Sequence, residues 1–177
     1  MKLANFLLCM LGCIGAIATA QEPVKTETAP TAEAAPLSIA QAIENTTFVT
    51  TNKPSTEAKF YMYLASASWC GPCRMVTPKL VQEYPNMMAN KEVEVILLSC
   101  DRTPEIALKY LEHYKAPFAA VMYGSEAAKA LPGCPQDIHG IPHIVVVDAY
   151  GKMVYRGHGL QFSNWKMQIE AYKTSQK

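Results

Sequence analysis

The stretch Ala67-Ser68-Trp69-Cys70-Gly71-Pro72-Cys73-Arg74, where an apolar strand-like run meets a helix-like one, limits the fold of this chain most. With Gly71 onward helical, Cys70 and Cys73 lie about one turn apart on the same side, within the Cα separation of about 5.5 Å that a disulfide needs. Such a bond closes a very small ring. Cross-links stabilise mainly by restricting the unfolded chain, and the restriction grows with loop length, so this ring makes a poor structural staple. It suits a bond that is made and broken. The unpaired N–H groups and positive dipole end of the helix would favour an anion at Cys70 and depress its pKa. A thiolate there can attack a substrate disulfide near neutral pH, and Cys73 can resolve the mixed disulfide. Pro72 fits the first helical turn, where a missing N–H costs little.

Reading those cysteines chemically requires knowing the compartment. Residues 1–20 read as a signal peptide: Lys2 gives a positive start, Phe6 to Ala18 is almost wholly apolar, and Ala18-Thr19-Ala20 places small residues where a signal peptidase cuts. A transmembrane anchor is the alternative, but the apolar run is shorter than the roughly 20 residues a span needs. A lipoprotein anchored at Cys13 is a second, through the loose lipobox Leu11-Gly12-Cys13. The expectation is an exported, periplasmic or secreted protein with no stable membrane insertion after cleavage. Its remaining cysteines are Cys70, Cys73, Cys100 and Cys134, in surroundings where disulfides persist. A formal charge of +1 without basic runs argues against a nucleic-acid or strongly acidic partner.

Residues 21–36 alternate Ala, Pro, Thr and Glu without aromatics and read as a flexible tether, leaving residues 37–177 as one domain. Ser38 offers an N-cap to a short helix ending near Asn45 that buries Ile39, Ala42 and Ile43. Phe60 to Ala65 reads as a buried central strand that delivers Trp69 and Cys70 to its C-terminal end. The next helix is predicted to reach Tyr84 and stop at Pro85, with a kink at Pro78. Val93 to Leu98 is a second buried strand, followed by a helix from the Thr103-Pro104 pair to about Lys115. Phe118 to Met122 reads as a strand and Ser125 to Leu131 as a short helix. Ile144 to Val147 and Met153 to Tyr155 form a hairpin, and Ser163 opens a last helix with Trp165, Ile169 and Tyr172. Strands alternating with helices, then a hairpin and a helix, predict an α/β three-layer sandwich with a mixed central sheet and helices on both faces.

Trp69-Cys70-Gly71-Pro72-Cys73 after a buried strand, Pro78 beyond the second cysteine, and Gly140-Ile141-Pro142 before a β-branched strand resemble the thioredoxin superfamily in order and spacing. The likeness covers roughly Ser38 to Tyr172. Val95 to Asp101, the helix after it and Ala116-Pro117-Phe118 look like the insertion of tryparedoxins, nucleoredoxins and exported cytochrome-maturation thioredoxins. The resemblance implies a thioredoxin-like fold, thiol–disulfide oxidoreductase activity without a cofactor, and a cis Ile141–Pro142 bond. Beside the cysteines, such a bond turns the backbone of Ile141 outward to pair with an extended substrate strand. Trp69, Gly71, Pro72, Ile141 and Pro142 are then the substrate-binding residues. The Gly-Pro spacer resembles that of reducing members, which points to a reductase or isomerase of disulfide-bearing proteins. That role needs a membrane or soluble dithiol electron donor.

Two positions depart from the family. Leu64 stands six residues before Cys70, where thioredoxins bury an Asp that handles the proton of the second thiol. Asp101 is a possible stand-in, against the plainer reading of a solvated loop residue or local cap. His143 follows Pro142 where Thr is usual, and either tunes the thiolate or is simply packed or hydrogen bonded. Three alternatives stay open for Cys100 and Cys134: a structural disulfide with a loop-closure benefit of about 3 kcal/mol, free thiols, or a second redox relay. A zinc site is disfavoured because Cys100 and Cys134 are isolated in sequence, so no metal is expected. A copper metallochaperone using Cys70, Cys73 and His143 or His158 competes from another class, although copper-binding relatives space their cysteines further apart. A non-catalytic binding module is the third reading.

Overall fold

The computed structural model describes residues 37–161 and 163–177; the signal-peptide and tether readings concern residues outside this range. The fold is built on a five-stranded sheet in the order β3-β2-β1-β4-β5. β1 (Phe60–Ser66) is central, parallel to β2 (Val93–Ser99) and antiparallel to β4 (His143–Asp148). β3 (Ala119–Met122) extends the parallel side, and β5 (Met153–His158) pairs antiparallel with β4. Every residue of β1 and β2 is buried, as expected of strands covered on both faces.

The two faces follow from strand alternation. Phe60, Met62 and Leu64 meet α2 (Cys73–Met88), α3 (Pro104–Tyr114) and α5 (Asn164–Ser175) through Val76, Leu80, Leu111 and Trp165. Tyr61, Tyr63 and Ala65 meet α1 (Ile39–Asn45) and α4 (Glu126–Lys129) through Ile39, Ile43 and Ala128. The mixed sheet with helices on both faces is thus present. α1 opens with a reciprocal capping box in which Ser38 accepts from the Gln41 N–H and Gln41 accepts from the Ser38 N–H. Thr103 and Ser163 stand at N-cap positions, but neither side chain makes a capping bond.

Pro85 does not end α2, which runs on to Met88. The lost backbone bond is offset by the burial of Met87 in the core, and the helix ends instead where Asn90 and Lys91 take left-handed backbone angles. Pro78 likewise lies within α2, and it has no N–H to give to the Arg74 carbonyl one turn earlier. The Tyr114 hydroxyl donates to that carbonyl at 3.5 Å.

The segment between α4 and β4 carries Pro142, and several unrelated contacts hold it. The Tyr63 hydroxyl donates to the Pro132 carbonyl at 2.8 Å, and the Ile138 N–H donates to the Tyr123 hydroxyl at 3.0 Å. Gly133 lies against Gly151 of the β4–β5 turn so closely that a Cβ on Gly133 would come within 2.3 Å of the Gly151 carbonyl oxygen. Both glycines also have positive φ, which disfavours any side chain there.

Candidate active site

The parallel register of β1 with β2 ends at Ser66 and Ser99, and the antiparallel pairing of β1 with β4 ends at Ala65 and His143. The chain leaving β1, the chain leaving β2 and the chain entering β4 therefore meet at one end of the sheet. There Cys70 and Cys73 form a disulfide with their Cα atoms 5.2 Å apart. Ala67, Cys70 and Cys73 make a small buried cluster flanked by Cys100 and Ile141.

Gly71 and Pro72 form the turn that leads into α2. The Arg74 N–H donates to the Cys70 carbonyl at 3.2 Å, so hydrogen bonding of helical type already begins at Cys70. The Cys73 N–H donates to the Cys70 sulfur at 3.2 Å. With the disulfide opened, this donor and the helix end both favour negative charge on Cys70. Cys70 is 5% exposed and Cys73 is fully enclosed, so Cys70 is the more accessible of the two. The Ile141–Pro142 bond is cis, as the family resemblance implied, and the Ile141 carbonyl oxygen lies 3.6 Å from the Cys70 sulfur. A Cys70 thiol can donate to it. Trp69 is 66% exposed, its indole N–H reaching the Cys100 carbonyl at 3.4 Å, and it forms an apolar rim beside the disulfide.

Asp101 is neither a solvated loop residue nor a group shown against the thiols. It is buried, one carboxylate oxygen accepting from the Ser68 N–H and hydroxyl at 3.0 and 2.8 Å, and the other from the Ser99 hydroxyl at 3.0 Å. It ties the loop that carries Trp69 and Cys70 to the end of β2. The Cys100 N–H adds a bond to the Ser66 carbonyl at 2.9 Å. Asp101 is thus a buttress that positions the active-site loop.

Cys100 and Cys134 are free thiols, which corrects the structural-disulfide reading. Cys134 is buried in the cluster beneath α1 and α4, where it packs as a small apolar residue. Burial pushes the Cys134 thiol up to about 12, and burial with the neighbouring Asp101 pushes Cys100 up to about 11. Neither is a thiolate near neutral pH.

His143 is the first residue of β4, and its Nε2 accepts from the Arg156 Nε at 3.1 Å. Arg156 also binds the Asp137 side chain and carbonyl, each at 3.0 Å, so it fastens the segment before Pro142 to β5. Burial, then the Arg156 cation and His158, lower the His143 pKa below its ordinary value. Among the described residues no three His, Cys, Asp or Glu side chains are grouped so as to hold a metal ion. His143 and His158 are therefore not assembled with Cys70 and Cys73 into the copper site considered above.

Three features lay outside the sequence reading. Gly159 donates its N–H to the Pro142 carbonyl at 2.8 Å, and a Cβ there would approach the Pro142 Cβ to 2.7 Å, so glycine lets the chain leaving β5 press against the cis proline. The bracket of Gly157 and Gly159 around His158 was the available signal. The Arg156–Asp137 clamp joins residues on different elements and left no local trace. Between the end of β1, α2 and α3, the Tyr110 hydroxyl is shared by Ser66 at 3.0 Å and Thr77 at 2.7 Å. Thr77 lies one helical turn beyond Cys73 on α2, while Leu64 is fully buried among apolar neighbours.

The comparisons agree with this geometry. A nucleoredoxin from Danio rerio is 30% identical over 116 residues, covering 65% of this chain and 27% of that protein. A tryparedoxin from Trypanosoma brucei brucei is 31% identical over 85 residues, covering 48% of this chain and 57% of the relative. The chain thus spans about a quarter of the nucleoredoxin and little more than half of the tryparedoxin. Among solved structures, tryparedoxin II from C. fasciculata superposes with a TM-score of 0.50 at 30% identity, covering 60% of this chain and 69% of the other. A model described as thioredoxin-like matches residues 58–153, a span holding both bonded cysteines and the cis proline. With more than half of its length matched and a redox-type disulfide at the start of α2, this chain belongs to the thioredoxin-like family.

Proposed function

We propose that this protein is an exported disulfide reductase or isomerase acting on protein substrates, with Cys70 as nucleophile and Cys73 as resolving thiol. The observation that carries the reading is the Cys73 N–H aimed at the Cys70 sulfur from 3.2 Å, at the more exposed member of the pair. In the reduced protein the Cys70 thiolate attacks one sulfur of a substrate disulfide and expels the other as a thiolate. The Cys73 thiolate then attacks the Cys70 sulfur, releases the second substrate thiol and leaves the Cys70–Cys73 disulfide. Two electrons have passed to the substrate. An external dithiol, soluble or membrane-bound, restores the enzyme; for an isomerase the substrate's own thiol attacks the mixed disulfide before Cys73 does.

Substrate docking falls to the cis-proline segment and the rim. Ile141, turned outward by its cis bond to Pro142, offers backbone to an extended substrate strand, while Trp69, Gly71 and Pro72 present a flat surface beside it. Export is supported by the charged, apolar and small-residue regions of residues 1–20.

The mature domain, reduced with dithiothreitol, is expected to reduce the interchain disulfides of insulin far faster than its Cys70→Ser variant does. Equal rates would overturn the enzymatic reading. Fractionation of cells producing the full chain tests export, with the processed form expected outside the cytoplasm.

A further inference from the structure

We infer that the surface on the α3 side of Trp69 is a docking groove for an acidic polypeptide segment, so that clients carrying Asp or Glu near the reactive cystine are preferred. This deepens the oxidoreductase reading and rests on it.

The groove begins at the disulfide's own rim. An open cavity of about 530 Å³ is bounded by Trp69, Cys100, Arg102 and Ile106. It adjoins a second cavity of about 280 Å³ reaching Arg74, Lys109 and His113, and the two share Ser68 and Ile106. A client segment bound at Cys70 that turns over Trp69 enters this channel. Trp69 and Ile106 give it exposed apolar surface, and Arg74, Arg102 and Lys109 line it.

Charge identifies the occupant. Arg74, Arg102 and Lys109 are exposed and take part in none of the ion pairs among the described residues, whereas Arg156, Lys166 and Lys173 do. The one carboxylate lining the channel, Asp101, is buried and already accepts from Ser68 and Ser99. Glu105 and Glu112 lie further round α3 and line neither cavity, although Glu105 feels Lys109 one turn away. In a chain whose formal charge is only +1, this channel thus carries three cations outside any ion pair against one carboxylate that is already hydrogen-bonded. An anionic segment gains attraction and orientation there, and a cationic one is repelled.

The test uses the wild-type protein and an Arg102→Glu/Lys109→Glu variant on two disulfide-linked peptides, identical except for Glu or Lys at the positions flanking the cystine. Bis(2-hydroxyethyl) disulfide serves as an uncharged reference substrate. Wild type is expected to favour the Glu peptide about tenfold in kcat/KM at low salt, chiefly through KM, with the preference shrinking at high salt. The variant is expected to lose or invert it, and an Arg102→Gln/Lys109→Gln variant to lose it without inversion. Equal rates on the two peptides, or a preference unchanged in both variants, would overturn the groove while leaving the oxidoreductase intact. Failure of wild type to reduce even the uncharged disulfide would overturn the oxidoreductase reading itself.

Discussion

The backbone N–H of Cys73 points at the sulfur of Cys70 across 3.2 Å, so the residue proposed as the resolving thiol also sets a donor on the sulfur proposed as the nucleophile. A backbone donor survives side-chain substitution. Cys73→Ser should therefore keep a reactive Cys70 and accumulate mixed disulfides with clients, visible as dithiothreitol-sensitive bands on gels, while turnover falls to background. Cys70→Ser should trap nothing. Equal trapping by the two variants would contradict the assignment of roles.

Gly159 tests the contact that seats the cis proline. A methyl group there meets the Pro142 Cβ at 2.7 Å, and overpacking of this kind costs about 1–3 kcal/mol. Gly159→Ala should lower the urea midpoint accordingly and reduce kcat/KM on a protein disulfide more than on a small one, because the segment proposed to dock the substrate strand moves. Wild-type behaviour in both measurements would mean that the close approach does not hold the segment in place.

Cys100 and Cys134 have thiols raised to about 11 and about 12 from an ordinary value of 9.0. At pH 7 only about one Cys100 in 10,000 is then a thiolate. In the reduced native protein, iodoacetamide at pH 7 should modify Cys70 while sparing both, as read by peptide mass spectrometry. A folded-state pKa above the unfolded one contributes stability that is whole below pH 9 and is lost as the pH climbs through about 11 and 12. Thermal melts should therefore stay level on this account up to pH 9 and fall beyond it. Cys100 reacting as fast as Cys70 at pH 7 would refute the burial argument.

His143 accepts from Arg156, which only a neutral imidazole does through Nε2. Its folded pKa is lowered, by burial first and by the Arg156 cation second, so the unfolded chain binds the proton more readily. The sign follows: this contribution to stability is complete above the ordinary value of 6.5 and is lost as the pH falls from there through the depressed folded value. An NMR titration should place the His143 midpoint below 6.5, and Arg156→Gln should move it upward. A midpoint above 6.5 in wild type would contradict the clamp.

Much of this was legible in the chain because the signals were local. The apolar run of β1, the short ring of Cys70 and Cys73 and the β-branched β4 each follow from neighbours a few residues apart. Pro85 misled because a proline's cost is local, while the core contact of Met87 that outweighs it comes from other elements. Asp101 was legible only in part: of the solvated residue and the local cap that its loop position suggested, its serine partners rule out the first and extend the second into a buried buttress.

The sequence by itself determined where a thiolate can form, since a helix start and two spaced cysteines are written in one stretch of chain. Tertiary structure alone decided what surrounds it. The Ile141 carbonyl at the Cys70 sulfur, Gly159 against Pro142, the Arg156 clamp, the unpaired Cys100 and Cys134 and the cationic channel past Trp69 join residues far apart along the chain. Such contacts depend on sheet register and helix packing, which place side chains by distance in space, and no periodicity or spacing in the chain encodes that distance directly.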